Sequence, residues 1–365
     1  MRWQDQALVT EDPSALPGLN RLAGLVRSVR TPEFAGVTFH EVRAKSALNR
    51  VPAGSPMPFS WTVNPYRGCS HGCVYCFARK SHTYLDFDAG QDFDSQIVVK
   101  TNVGSVLRKE VSSPRWGREH VAMGTNTDPY QRAEGRYRLM PEIISALADS
   151  GTPFSILTKG TVLARDLPLL AAAARAVPVG VGVSLALLDP DLQGTLEPGT
   201  PTPKARLELV RRIRDAGLPC GVFVAPILPL LTDTPEQIRS LMRQLADAGA
   251  TGVSGIPLHL RPGARDWFFG WLHRTRPELV GRYEQLYARG SNLPAAYRKE
   301  LAGRVKRISA EFGLGPGADS QLAGRNPARG VPGDRDASFP AGSLPGPGGT
   351  SNAATAVISS APTLF

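Results

Sequence analysis

Cys69, Cys73 and Cys76 fall within eight residues, spaced C-x3-C-x2-C in the run Asn64-Pro-Tyr-Arg-Gly-Cys69-Ser-His-Gly-Cys73-Val-Tyr-Cys76-Phe-Ala-Arg79. Three thiolates on one tight loop can hold three irons of a [4Fe–4S] cubane, because soft sulfur donors suit iron–sulfur chemistry. The fourth iron then has no protein ligand and stays open to a small molecule. Gly68 and Gly72 let the backbone curl around such a cluster without a Cβ clash. The competing chemistry is a structural zinc site with His71 or His82 as fourth ligand. Zinc sites usually take their ligands from two separated pairs, and this chain has one triplet and a distant Cys220. That distribution is poor material for a disulfide framework and good material for a metal or redox site in a reducing compartment.

The elements that must carry this loop alternate from Ser60 to about Leu260. Short β-branched runs at 60–66, 120–126, 153–158, 179–185, 221–227 and 252–257 are separated by helix-period segments such as 138–149, 205–216 and 235–248. A further strand is expected at 97–100. Thr234 before Pro235 and Glu236 marks a helix start, and Gly217 and Gly249 mark stops. Six such units imply parallel strands with right-handed crossovers, and the fold class is α/β, an open or partial (β/α)6 barrel. The cysteine loop follows the first strand, where sites of such folds gather beyond the C-terminal strand ends. Residues 1–58 form an N-terminal extension with one short helical stretch around 19–29, and residues 59–260 form the barrel. Residues 261–312 read as C-terminal helices. Residues 313–365, rich in Gly, Pro, Ser and Ala without apolar periodicity, read as a disordered tail.

The triplet, with Tyr75 just before its third cysteine, resembles the signature of the radical S-adenosylmethionine (SAM) superfamily. The longer run 64–79, with the stretches at 44–52, 124–134, 157–160, 196–210 and 223–233, is similar to the spore photoproduct lyase-like branch, related to DNA repair photolyases. The resemblance covers roughly 45–260. It implies a metal site at Cys69, Cys73 and Cys76, with S-adenosyl-L-methionine chelating the open iron through its amino and carboxylate groups. Reduction would then release methionine and a 5′-deoxyadenosyl radical. The difficult chemistry would be the cofactor's, and the protein would supply position and electrostatics.

The resemblance also assigns cofactor-binding roles by position. Thr125, Asn126 and Asp128, at the second main strand end, are expected near the methionyl amine, with Glu134 behind them. Lys159, ending the third strand, is expected at the cofactor carboxylate, and Ser184, ending the fourth, at the ribose. Arg206, beyond the loop that carries Glu197, is a second candidate for the carboxylate. Tyr75 is expected against the adenine, with Pro226 and Ile227 on its apolar bed, plain core packing being the alternative for Ile227. Each has a structural counterpart: Asp128 capping a helix, Lys159 and Arg206 on solvated faces.

The lyase precedent makes nucleic acid, DNA or RNA, the first substrate class. Lys and Arg exceed Asp and Glu by 42 − 32 = 10, a balance that favours polyanions. From 261 to 310 there are 11 Lys/Arg against 4 Asp/Glu, interleaved with Trp267, Phe268, Phe269, Trp271, Tyr283, Tyr287 and Tyr297. Such a stretch is either a stacking and phosphate-binding surface or the apolar face that closes the barrel. One feature argues against dimer-repair chemistry, which in the resembling lyase uses a cysteine as hydrogen donor. Cys220 precedes the fifth strand, and seven residues at ~3.3 Å each put it some 20 Å from the catalytic face. The alternatives are radical modification of a protein or small metabolite, and a non-enzymatic metal-bearing nucleic-acid module. An electron donor such as flavodoxin or ferredoxin is the implied redox partner. No apolar leader and no spanning stretch is visible, so the expected location is the cytoplasm.

Overall fold

Six of the β-branched runs become parallel strands in the computed structural model, which describes residues 24–52, 54–55, 57–314 and 339–344. They are β4 (Trp61–Val63), β7 (Val121–Met123), β8 (Phe154–Thr158), β9 (Val179–Ser184), β10 (Gly221–Ile227) and β11 (Gly252–Pro257). Their spatial order is their sequence order, and every neighbouring pair is parallel. At the β4 edge β3 (Leu48–Arg50) pairs antiparallel, so the sheet ends there instead of closing onto β11. This is the partial barrel expected of the alternating pattern.

Residues 24–100 build more than an extension. A second sheet runs β1 (Leu25–Val29), β2 (Thr38–Val42), β6 (Gln96–Lys100) and β5 (Tyr66–Arg67). The expected strand at 97–100 is thus its third member. The helical stretch expected around 19–29 is corrected where it is described: Leu25–Val29 is a strand, paired antiparallel with β2. Val26 and Val29 carry β-branched side chains that suit a pleat better than a helix, and β2 supplies partners for the backbone.

The helices pack outside the strands. Val179, Val181 and Val183 of β9 join one apolar core with Leu207, Val210 and Ile213 of the helix Pro203–Asp215. By the period of two, Gly180, Gly182 and Ser184 point the other way, into the lumen. Thr234 starts the helix Pro235–Asp247 as expected, with a reciprocal capping box: its Oγ1 accepts from the Gln237 amide while Gln237 Oε1 accepts from its own N–H.

Helices Ala264–Thr275, Val280–Leu286 and Ala295–Glu311 follow. The interleaved aromatics are mostly packing groups. Phe268, Trp271, Tyr283 and Tyr287 are buried in a second core with Leu228, Leu258 and Leu260. Tyr283 and Tyr287 donate to the carbonyls of Pro229 and Leu258 at 2.7 and 2.8 Å. The apolar-face reading of this stretch holds for these four, because their faces are already covered. Within the expected disordered tail, residues 339–344 lie packed against the barrel with Phe339 and Ser343 buried. Residues 315–338 and 345–365 lie outside the described residues. Among the described residues no helix is long and apolar enough to cross a membrane.

Candidate metal and cofactor site

Gly68 turns the chain from β5 into the cysteine loop at φ +77, where an added Cβ would meet Gln96 O and His82 Cε1 at 2.9 Å. Only glycine takes that turn without strain. The loop is then closed by backbone hydrogen bonds: Cys69 N donates to Phe93 O at 2.9 Å, Gly72 N to Cys69 O at 3.2 Å and Cys76 N to Cys73 O at 3.2 Å. Val74 N and Gly199 N tie it to the segment after β9, through Leu196 O at 3.0 Å and His71 O at 2.9 Å.

Two side chains that sequence reasoning did not single out grip this loop. Gln131 is fully buried; its Oε1 accepts from Ser70 N at 2.9 Å and its Nε2 donates to Gly68 O at 3.0 Å. It therefore holds the peptide groups on both sides of Cys69. Arg79, also fully buried, donates from Nε and Nη2 to Cys73 O at 3.1 and 3.0 Å and pairs with Asp94 at 2.9 Å. Its guanidinium also faces the Trp267 and Phe93 rings at 4.9 and 5.3 Å. The signal for both was their place in the runs quoted above, but nothing local distinguishes a buried Gln or Arg from a solvated one.

The thiols of Cys69, Cys73 and Cys76 are free, and burial pushes the pKa of each up. For Cys73 the nearby Lys159 charge is the largest opposing influence. Buried thiols of this kind become thiolates on binding iron, so the donor set fits a soft-metal centre. Among the described residues no group of three or more His, Cys, Asp or Glu side chains converges on one ion. A cubane needs no such convergence, since each thiolate takes its own iron. Of the two histidines weighed as zinc ligands, His82 Nε2 donates to Gln96 O at 2.8 Å while its Nδ1 is buried without a partner among the described residues, and His71 Nδ1 lies 3.4 Å from Asp128.

The strand ends divide into groups held by the protein and groups left open. Asp128 belongs to the first kind. Its carboxylate accepts from Tyr130 N at 2.9 Å, Thr158 Oγ1 at 2.5 Å and Lys159 N at 2.7 Å. It locks the ends of β7 and β8 together and does not cap a helix as the alternative reading had it: the next helix, Arg132–Tyr137, has Gln131 at its N-cap and no side-chain cap hydrogen bond. Thr125 and Asn126 beside it are half-buried, and neither side chain meets a hydrogen-bond partner among the described residues. Glu134 lies beneath them, fully buried, accepting from Tyr66 OH at 2.6 Å, Arg165 Nη2 at 2.8 Å and the amides of Leu139 and Met140.

Across the mouth, Arg206 and Glu197 are both fully buried and paired at 2.6 Å. Neither lies on a solvated face. Arg206 also donates to Ser184 O at 3.1 Å, while its Nε finds no partner. Glu197 receives the Tyr75 hydroxyl as well. Burial works to raise the Glu197 pKa, but Arg206 and Lys159 outweigh it and hold the carboxyl below its ordinary value. Lys159 Nζ lies 5.9 Å from the centre of the Tyr75 ring. Burial opposes its charge, yet Cys73 and Glu197 hold its pKa above the ordinary value. The structure thus brings Tyr75, Lys159, Glu197, Arg206 and Ser184 together around one end of the lumen. Ser184 Oγ is buried, at 3.4 Å from Ala225 O. Ile227 is core, the alternative given for it. Cys220 is buried just before β10, at the opposite strand end, and burial raises its pKa to about 12.

The sequence profile of the radical SAM superfamily matches residues 63–245. An uncharacterized protein of Mycobacterium tuberculosis H37Rv is 61% identical over 318 residues, 86% of this chain and 93% of its own length. An uncharacterized protein of Acidianus two-tailed virus is 31% identical over 216 residues, 57% of this chain and 70% of its own. Among solved structures, spore photoproduct lyase complexed with dinucleoside spore photoproduct has a TM-score of 0.56 at 17% identity. That similarity covers 75% of this chain and 79% of the lyase.

Proposed function

The chain belongs to the radical SAM superfamily, and we propose that it is an enzyme whose Cys69, Cys73 and Cys76 hold a [4Fe–4S] cluster. When bound and reduced, that cluster supplies the electron that splits S-adenosylmethionine and releases a 5′-deoxyadenosyl radical for hydrogen abstraction. The observation that carries the reading is the three-thiol loop at the C-terminal strand ends, Cys69 and Cys73 buried and Cys76 partly so, with no fourth thiol beside it.

The remaining work falls to this chain's side chains. Thr125 and Asn126, without partners of their own, offer polar atoms to the methionyl amine. Lys159 offers a cation to the carboxylate and offsets the charge of the thiolates beside it. Tyr75, fixed by its hydroxyl on Glu197, would present its ring to the adenine, and Ser184, at the end of β9, would offer its hydroxyl to the ribose. Arg206 acts through Glu197: both Nη groups serve protein acceptors, which makes it a positioning residue for Tyr75.

The substrate class we favour is a nucleic-acid base. Phe77, directly after Cys76, is 46% exposed, and the Arg261 guanidinium lies 5.5 Å from its ring centre. An exposed ring beside a cation suits base stacking and phosphate contact. The net charge of +10 favours the same partner. The solved lyase of like fold was complexed with a dinucleoside.

The test is anaerobic reconstitution with iron and sulfide, followed by dithionite and S-adenosylmethionine. The proposal expects 5′-deoxyadenosine from the wild type and none from Cys73→Ala. Zinc in place of iron, or a sound cluster that never cleaves the cofactor with any reductant or nucleic acid, would refute it. For the substrate, single-stranded DNA or RNA should bind with an affinity that falls steeply with salt, and Phe77→Ala should weaken it.

A further inference from the structure

We infer that the N-terminal end of the barrel is a peptide-binding site whose occupant is the chain's own segment 339–344. The inference does not depend on the cluster at the other end.

It starts from a row of glycines. Gly182 of β9 pairs in register with Gly221 of β10, which pairs in turn with Gly252 of β11. Three adjacent parallel strands therefore lack a side chain at one level. The residues beside them, Val181, Val183, Val222 and Val253, belong to the helix-side core, so the glycines face the lumen. A glycine within a strand is less favourable than an alanine there. Such a cost is commonly met where another backbone approaches closely.

Here the approaching backbone is identified. A Cβ on Gly221 would stand 2.3 Å from Ala341 O. One on Gly252 would stand 2.8 Å from Ala341 O and from Gly342 Cα. One on Gly182 would touch Pro340 at 3.5 Å. The segment Pro340–Gly342 thus crosses the strands along the glycine row. Gly342 completes the fit, since a Cβ there would stand 2.5 Å from Gly252 Cα.

Side chains anchor both ends. The Phe339 ring stacks on His120 with centroids 4.1 Å apart, and fills the space above Gly180, whose Cβ would meet it at 2.6 Å. Thr251 Oγ1 donates to Gly342 O at 2.5 Å, and Ser343 N turns back to Pro340 O at 2.9 Å. Ser343 is fully buried. The ligand class is an extended run of small residues led by one aromatic ring. Its effect is to close the lumen at this end of β9, β10 and β11.

Hydrogen exchange on the full-length chain tests this. In the wild type, the amides of Gly342 and Ser343 should exchange at least about ten-fold more slowly than in a free peptide of the same sequence. Gly221→Val should abolish that protection by filling the row. Phe339→Gly should abolish it from the other side, while β9, β10 and β11 keep theirs. If Gly221→Val does not fold, Phe339→Gly decides alone. Absence of protection in the wild type, or protection that survives Phe339→Gly undiminished, would overturn the inference.

Discussion

At the C-terminal end of the six strands buried charged groups pair with one another, while at the other end a row of glycines across β9, β10 and β11 is covered by backbone. The first end contains Arg206 with Glu197, Arg165 with Glu134 and Asp166, and Arg79 with Asp94. The second contains Gly182, Gly221 and Gly252 beneath 340–342. Buried ion pairs are expensive to desolvate and add little net stability, but they fix geometry once every partner is present. The glycine row itself places no side chain against the occupant and accepts it by shape, with Thr251 Oγ1 donating to Gly342 O at its edge. The contrast separates an end built to orient a ligand from an end built to be closed.

Breaking the pair at the orienting end should give the largest effect. Arg206→Met leaves Glu197 buried without its ion-pair partner, and we expect a loss of about 3–5 kcal/mol in chemical denaturation of the metal-free chain. Arg206→Met combined with Glu197→Leu should lose less than Arg206→Met alone. If the double variant is as damaged as the sum of the two single variants, the pair is not acting as one unit.

Gln131→Ala comes next. It strips the hydrogen bonds from Ser70 N and Gly68 O, each worth about 1–3 kcal/mol if left unmet. The loss should show as faster iron release to a chelator with little change in secondary structure. Unchanged iron retention would remove Gln131 from the account. Tyr66→Phe should cost less, about 1.5–3 kcal/mol, since Glu134 keeps its other donors.

The smallest effect is at the closing end, in acid. Burial lowers the His120 pKa from 6.5 to about 4, beneath the Phe339 ring. Between those values the unfolded chain binds the proton and the folded chain does not. Stability should therefore be full above about pH 6.5 and fall as pH drops toward 4. His120→Gln should flatten that fall modestly, read as the midpoint of thermal unfolding at pH 5 against pH 7. An unchanged slope would mean that His120 takes up its proton without disturbing the floor.

Much of the orienting end was legible in the sequence because its signals are local. The spacing of Cys69, Cys73 and Cys76 sets three thiols on one tight loop, and the runs that became β8 to β11 declared themselves by β-branched residues between helix-period segments. What was illegible depends on partners far along the chain. Gln131 and Arg79 read as ordinary polar residues until the fold buries them against the loop. Leu25–Val29 is a strand because β2 lies beside it. The aromatics from 267 to 287 carry the same letters whether they face solvent or a core, and here Phe268, Trp271, Tyr283 and Tyr287 are covered. The floor was hidden twice over: glycines scattered in three strands and a Phe-Pro-Ala-Gly-Ser segment have no periodicity, and each explains the other only when they meet.

The central claim is that three thiolates leave one iron of a cubane open to S-adenosylmethionine. Electron paramagnetic resonance of the reconstituted, reduced protein with and without that cofactor tests it most directly. The account predicts a reduced four-iron signal whose line shape shifts when S-adenosylmethionine is added, and whose intensity is lost in Cys69→Ala. A four-iron signal indifferent to the cofactor, or a colourless protein carrying one zinc, would contradict it.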